Sequence, residues 1–182
     1  MTLPASPPIS MVDLANETRH TIGGFGIPHD DVKRLLGLPR SHPGPISLMD
    51  CLGKTRPWWG LVPVKKVTLG SPVTTTWYTW LQADGGLADA VDPYFGNVPI
   101  IAIQSTISAA ESGSILSFDG DPGFRNNIKA QLLNNDFSVV REVVYTFDSV
   151  GVYWRSAQLP GGDTSTCLFL SEGNQFVNLI KL

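Results

Sequence analysis

Four groups of residues in this 182-residue chain have types that invite chemistry. Gly53-Lys54-Thr55 ends as a phosphate-binding loop ends. Such a loop also needs a glycine five residues earlier, a strand before it and a helix after it. Leu48 holds that glycine position and a helical pattern precedes Lys54, so Lys54 is read as a cation favoured at a helix C-terminus. His20, His29 and His42 lack a G-x-S-x-G elbow to serve, and neither Cys51 nor Cys167 stands at metal-ligand spacing to them. Asp119-Gly120-Asp121-Pro122-Gly123 sets carboxylates at alternate positions like the start of a calcium loop. The remaining ligands are missing, and an ordinary Asp/Gly/Pro turn accounts for the run. Asp89, Asp92, Asp119, Asp121 and Asp163 could supply paired carboxylates for glycoside cleavage, but the carboxyl separation that reaction needs is not written in a sequence. The chain is therefore read as non-enzymatic, with no cofactor and no metal.

Aromatic side chains suggest binding instead. Trp58, Trp59, Trp80 and Trp154 could offer flat faces to sugar rings or to a protein partner, since Trp combines area with a polar handle. On one strand Trp77 points one way and Tyr78 and Trp80 the other, so at least one group must enter a core.

Composition narrows the partners. Hydrophobic residues are 42% and charged residues 16%, enough to build a core and too little charge for an extended disordered chain. A net charge of −3 supplies no field that would attract a phosphate backbone, which argues against nucleic acid. No apolar run approaches the roughly 20 residues of a membrane helix, and the start lacks the basic and apolar regions of a signal peptide. A soluble protein made in a reducing cytoplasm, with Cys51 and Cys167 as free thiols, is expected.

The elements that must carry these residues fall into two regions. Residues 1–57 begin with a proline-bound arm and contain one motif twice: Pro8-Ile9-Ser10-Met11-Val12-Asp13 and Pro45-Ile46-Ser47-Leu48-Met49-Asp50. Ser10 and Ser47 suit helix N-caps, with Asp13 and Asp50 three residues on to complete a capping box. Ile9 with Leu14, and Ile46 with Cys51, stand at the spacing of a hydrophobic staple. Between the copies, Val32, Leu35 and Leu36 share a helical face that Gly37 ends. A module of three short helices follows, too small to bury much surface alone.

Residues 58–182 change to short runs of Val, Ile, Thr and aromatics between Gly, Pro, Asn and Asp. Strands are expected near 62–69, 73–82, 98–107, 114–119, 137–147, 150–156, 165–171 and 175–181. One helix is expected over 124–133, and hairpin turns at Asp148–Gly151 and Gly173-Asn174. Arg141 and Val144 break the alternation of their run, which marks a bulge or a two-sided environment. About eight such strands favour a mainly β fold, an antiparallel sandwich or barrel.

The order Met1-Thr2-Leu3-Pro4, Pro8-Ile9-Ser10, Asp31–Gly37, Gly44–Asp50 and Gly53-Lys54-Thr55 resembles an N-terminal module of tailed-bacteriophage virion proteins. The resemblance covers residues 1–55. Cys51 stands where a Leu is usual, and Pro28-His29-Asp30-Asp31 replaces a Ser-Leu-Asn type of cap. It implies a structural protein of the virion tail that docks onto other tail, collar or baseplate proteins and forms a homo-oligomer in the particle. The docking contacts implied are Leu3, Ile9, Ser10, Met11, Asp13, Val32, Leu35, Leu36, Ile46, Ser47, Leu48 and Asp50. A receptor-binding module that recognises host-surface glycan through the tryptophans is the alternative.

Overall fold

The computed structural model describes residues 3, 5, 10–18, 29–53, 58–70, 73–80, 94–95 and 98–182. The chain divides into two compact units, residues 1–57 with 135–138, and residues 58–134 with 139–182.

The larger unit is built from ten strands: β1 (Trp58–Leu69), β2 (Thr74–Trp80), β3 (Tyr94–Phe95), β4 (Val98–Ile107), β5 (Glu111–Phe118), β6 (Ile128–Leu133), β7 (Val139–Asp148), β8 (Tyr153–Arg155), β9 (Leu159–Pro160) and β10 (Gly173–Lys181). Eight of them close a ring in the order β4-β2-β1-β10-β6-β7-β8-β5, because β5 pairs back onto β4. All these pairings are antiparallel. The expected sandwich or barrel is thus a closed barrel, an arrangement that removes free sheet edges. Strands β3 and β9 add two residues each beside β4 and β5.

Two strands turn the corners. β1 pairs with β10 over Trp58–Val64 and with β2 over Lys65–Leu69. β7 likewise pairs with β6 over Val139–Tyr145 and with β8 over Thr146–Asp148. Each carries a long run of β-forming residues, so one strand can serve two neighbours in succession.

Alternation fills the interior. Trp58, Val62, Val64, Ile103, Leu116, Ile128, Ala130, Val143, Tyr145, Val177 and Leu179 all belong to one buried cluster. The irregularity expected near Arg141 is a bulge: Leu132 pairs with Arg141 and Leu133 with Val139, leaving Val140 as the extra residue. Val144 simply faces outward opposite Lys129.

Three expectations for this region are corrected. Residues 128–133 form a strand, not part of a helix over 124–133. Ile128 and Leu132 fit either period, but β10 and β7 offer ladders on both sides and Lys129 and Gln131 alternate outward. Gly173-Asn174 begins β10 and is no hairpin turn, because residues 161–172 before it form no strand. Residues 165–171 form no strand either; the Leu168 and Phe169 N–H groups find side-chain acceptors, as described below, and the Cys167 N–H donates to the Thr164 carbonyl. The Asp148–Gly151 turn is present, with Asp148 paired to Tyr153 across it.

The smaller unit holds α1 (Met11–Thr18), α2 (Asp30–Leu35) and one 3-10 turn at Leu48–Cys51. Three helices were expected. The third is only this single turn, because Leu52 leaves the helical region and Gly53 follows at φ 67°. Of the proline-bound arm, Leu3 and Ala5 are described. Leu3 is 3% exposed and packs with Leu14, Val32, Leu35 and Cys51. Among the described residues, no helix is long and apolar enough to cross a membrane.

Candidate functional site

Both copies of the repeated motif fold into the same device. The Ser10 N–H donates to Asp13 Oδ2 at 2.8 Å while the Asp13 N–H donates to Ser10 Oγ at 3.2 Å. At the second copy the Ser47 N–H donates to Asp50 Oδ2 at 2.8 Å and Ser47 Oγ accepts from the turn it caps. Each pair satisfies backbone donors that a helix start leaves open. The Ser10 hydroxyl, then its N–H, holds the Asp13 carboxyl below its ordinary value.

The equivalence extends to the next two positions. Met11 and Leu48 pack against the small core, whereas Val12 and Met49 are 50% and 55% exposed. Leu3, Val32 and Leu35, named above as docking contacts, are instead buried in the unit's own core, with Met11, Leu36, Ile46 and Leu48 packed on it. That burial is what lets so short a segment fold, and it withdraws Leu3, Val32 and Leu35 from a partner, while Met11, Leu36, Ile46 and Leu48 stay partly exposed. Ile9 lies outside the described residues. Sequence reasoning missed Val12 and Met49 because it followed the apolar periodicity, and the periodicity marks the inward face.

Helix α2 is tightly specified at both ends. His29 caps its start, Nδ1 accepting from the Asp31 N–H at 3.2 Å, a role that its place between prolines concealed. Gly37, at φ 69°, ends it: its N–H donates to the Arg34 carbonyl, and the Leu38 N–H to the Lys33 carbonyl. This is a Schellman stop that needs a glycine at the left-handed position. Arg34 in the last turn of α2 and Arg40 beyond the stop lie over the ring of Phe137, 5.0 and 4.4 Å from its centroid. The Arg40 N–H donates to the Asp136 carbonyl at 2.7 Å.

Three of the four named tryptophans, Trp58, Trp59 and Trp154, do not form an open face. Trp58, Trp59 and Trp154 are 5%, 1% and 0% exposed, which corrects their reading as a ligand surface. Trp80 ends β2, and its side chain lies outside what the structure describes. Trp154 is surrounded by Phe118, Phe124 and Phe147 at ring separations of 5.1, 5.2 and 4.9 Å, and its indole N–H donates to the Asn126 carbonyl at 2.9 Å. Ring contacts of this kind add to area burial, and the N–H is satisfied, so the residue is structural.

The barrel interior is polar elsewhere. Ser105 on β4 and Ser114 on β5 are buried with hydroxyl oxygens 2.7 Å apart. They accept the N–H groups of Phe169 and Leu168, each at 2.9 Å. Cys167, Leu168 and Phe169 are fully buried there without joining a ladder, because serine hydroxyls replace a neighbouring strand. Arg141 fixes the start of this strap through the Thr164 carbonyl and Gln175 its end through the Ser171 carbonyl. Burial pushes the Cys167 thiol and the Tyr145 hydroxyl up, which keeps both neutral.

Asp119–Gly123 folds as a turn. Asp121 accepts from the Gly123 N–H and from both terminal nitrogens of Arg125, which hold its carboxyl well below the usual range. Its oxygens are engaged by cationic and amide donors, the opposite of a free cation ligand. Among the described residues, no group of three or more His, Cys, Asp or Glu is placed to hold a metal ion. The two cysteines are free. Searches of family models, curated proteins and solved structures find nothing that matches this chain.

Proposed function

We propose that this chain is a structural component of a tailed-bacteriophage virion, docking through its N-terminal module onto other tail, collar or baseplate proteins and presenting the barrel. The observation that supports this reading is the pair of reciprocal caps, Ser10 with Asp13 and Ser47 with Asp50. The motif that carries the family resemblance is thereby the part that organises the small unit. The segment buries Leu3, Leu14, Val32 and Leu35 in its own core, so docking falls to the apolar surface that remains outside. Val12 and Met49 stand at equivalent positions of the two copies, each exposed and apolar. Covering them on a partner would remove apolar surface from water, at roughly 25 cal/mol per Å².

The test is binding of the full-length protein to particles that lack it. Val12→Asp combined with Met49→Asp is expected to abolish that binding while far-UV circular dichroism stays unchanged. Binding at the wild-type level would overturn the docking reading. The glycan alternative loses Trp58, Trp59 and Trp154, three of the four tryptophans that motivated it, since these three are buried.

A further inference from the structure

We infer that the N-terminal module is completed by the connection between β6 and β7, so that it reaches its folded form only once those two strands have paired. Residues 135–138 belong to the same compact unit as residues 1–57, although about eighty residues separate them in the chain. The connection leaves from and returns to a fixed point, because Leu133 and Val139 pair directly across residues 134–138. Asp136 shapes it: its carboxylate accepts from the Ser138 N–H at 3.0 Å and from the Ser138 hydroxyl at 2.7 Å. Those two bonds hold the Asp136 carboxyl below its ordinary value.

Phe137, at the tip, is the joining residue. It has φ 67°, a left-handed backbone that a bulky side chain rarely adopts and that surrounding contacts must enforce. Its ring is 8% exposed, with the guanidinium groups of Arg34 and Arg40 over it. Neither cation is loose. Arg34 is 7% exposed and 4.0 Å from Asp31, and Arg40 Nε is 3.0 Å from Asp30. Asp30, Asp31, Arg34, Arg40 and Phe137 therefore form one alternation of charge and ring around α2, and a distant part of the chain supplies its centre. Without residues 135–138, both arginines lose the ring and the Arg40 N–H loses its acceptor.

The functional consequence rests on the docking reading proposed above: a chain whose barrel has not formed would present an incomplete module, so docking would select folded copies. The structural claim is testable without any particle. Hydrogen exchange on the full chain should show the Leu36, Gly37 and Leu38 amides losing protection at or before those of β6 and β7 as denaturant rises. In Phe137→Ala the three amides should exchange about tenfold faster, with Val177 and Leu179 in β10 unchanged. If Phe137→Ala does not fold, Arg40→Gln carries the same test, since the Arg40 side chain is 45% exposed and its N–H is kept. Protection of Leu36–Leu38 that outlasts β6 and β7, or that neither variant alters, would overturn the inference. A normal exchange result together with failed particle binding would instead count against docking alone.

Discussion

The N–H of Leu168 donates to Ser114 Oγ at 2.9 Å, joining two residues 54 positions apart inside the barrel. The bond replaces what a strand neighbour would give, and with its twin from Phe169 to Ser105 it lets an irregular segment run through a buried interior. Ser114→Ala leaves the Leu168 N–H buried without its acceptor. That is expected to cost about 1–3 kcal/mol in denaturant unfolding, and the paired Ser105→Ala change should not add fully because the hydroxyls touch. A loss below a few tenths would show that the strap holds without them.

Cys167 belongs to this strap, with its thiol near the carbonyls of Thr106 and Gly113. Burial raises its thiol pKa, so the reactive thiolate is scarce in the folded protein through the usual cysteine range. Cys51 is buried too. A thiol reagent is expected to label neither cysteine in the native protein and both after unfolding. In Ser114→Ala, Cys167 should be labelled faster than Cys51, and equal rates would separate the serine from the strap.

Trp154 gives a sharper stability test. Replacing it with Ala removes the centre of four aromatic rings and should cost about 3–5 kcal/mol. Phe at the same position keeps most of the ring contacts but strands the Asn126 carbonyl, so a smaller loss is expected. Chemical denaturation followed through the remaining tryptophans measures both.

How much of this was legible in the residues differs between the two units. The caps at Ser10 and Ser47 and the stop at Gly37 were readable because each is a local hydrogen-bond device with a residue-type signature. The bulge in β7 showed as a broken alternation at Arg141. The β6 strand was not readable, because Ile128 and Leu132 suit both periods and the decision belongs to β7 and β10. The burial of Trp58 and Trp59 was equally hidden: a run of two tryptophans looks the same whether a barrel closes over it or not. Phe137 bore no local sign of its role, since the arginines that hold it lie about a hundred residues earlier.

Acid should loosen the first helix entrance before the barrel. The Asp13 carboxyl is held below its ordinary value by Ser10, so in the folded state it stays charged to lower pH than in the unfolded state. Its contribution is complete above the unfolded carboxylate value, roughly 3.9, and is lost as pH falls through the lower folded value. Helical circular dichroism should therefore decline on acidification below about pH 4. Asp13→Asn should remove that dependence, and an unchanged acid limb in the variant would assign it to other carboxylates.

Val152 carries the remaining backbone strain that a single substitution can relieve. It sits at φ 54° in the β7–β8 turn, where a β-branched residue is disfavoured by roughly 1–2 kcal/mol. Its side chain is 51% exposed, so little packing offsets that cost. The turn itself is held elsewhere, by Asp148 accepting from the Val150 N–H at 2.9 Å and pairing with Arg155 at 3.0 Å. Val152→Asn tolerates the left-handed region and should raise the melting temperature by about 2–4 °C, the change expected of roughly 1 kcal/mol in a chain of this size. Val152→Gly removes the same strain but frees the unfolded chain, so its gain should be smaller. A lower melting temperature in both variants would mean that the half-exposed valine makes contacts worth more than the strain it carries.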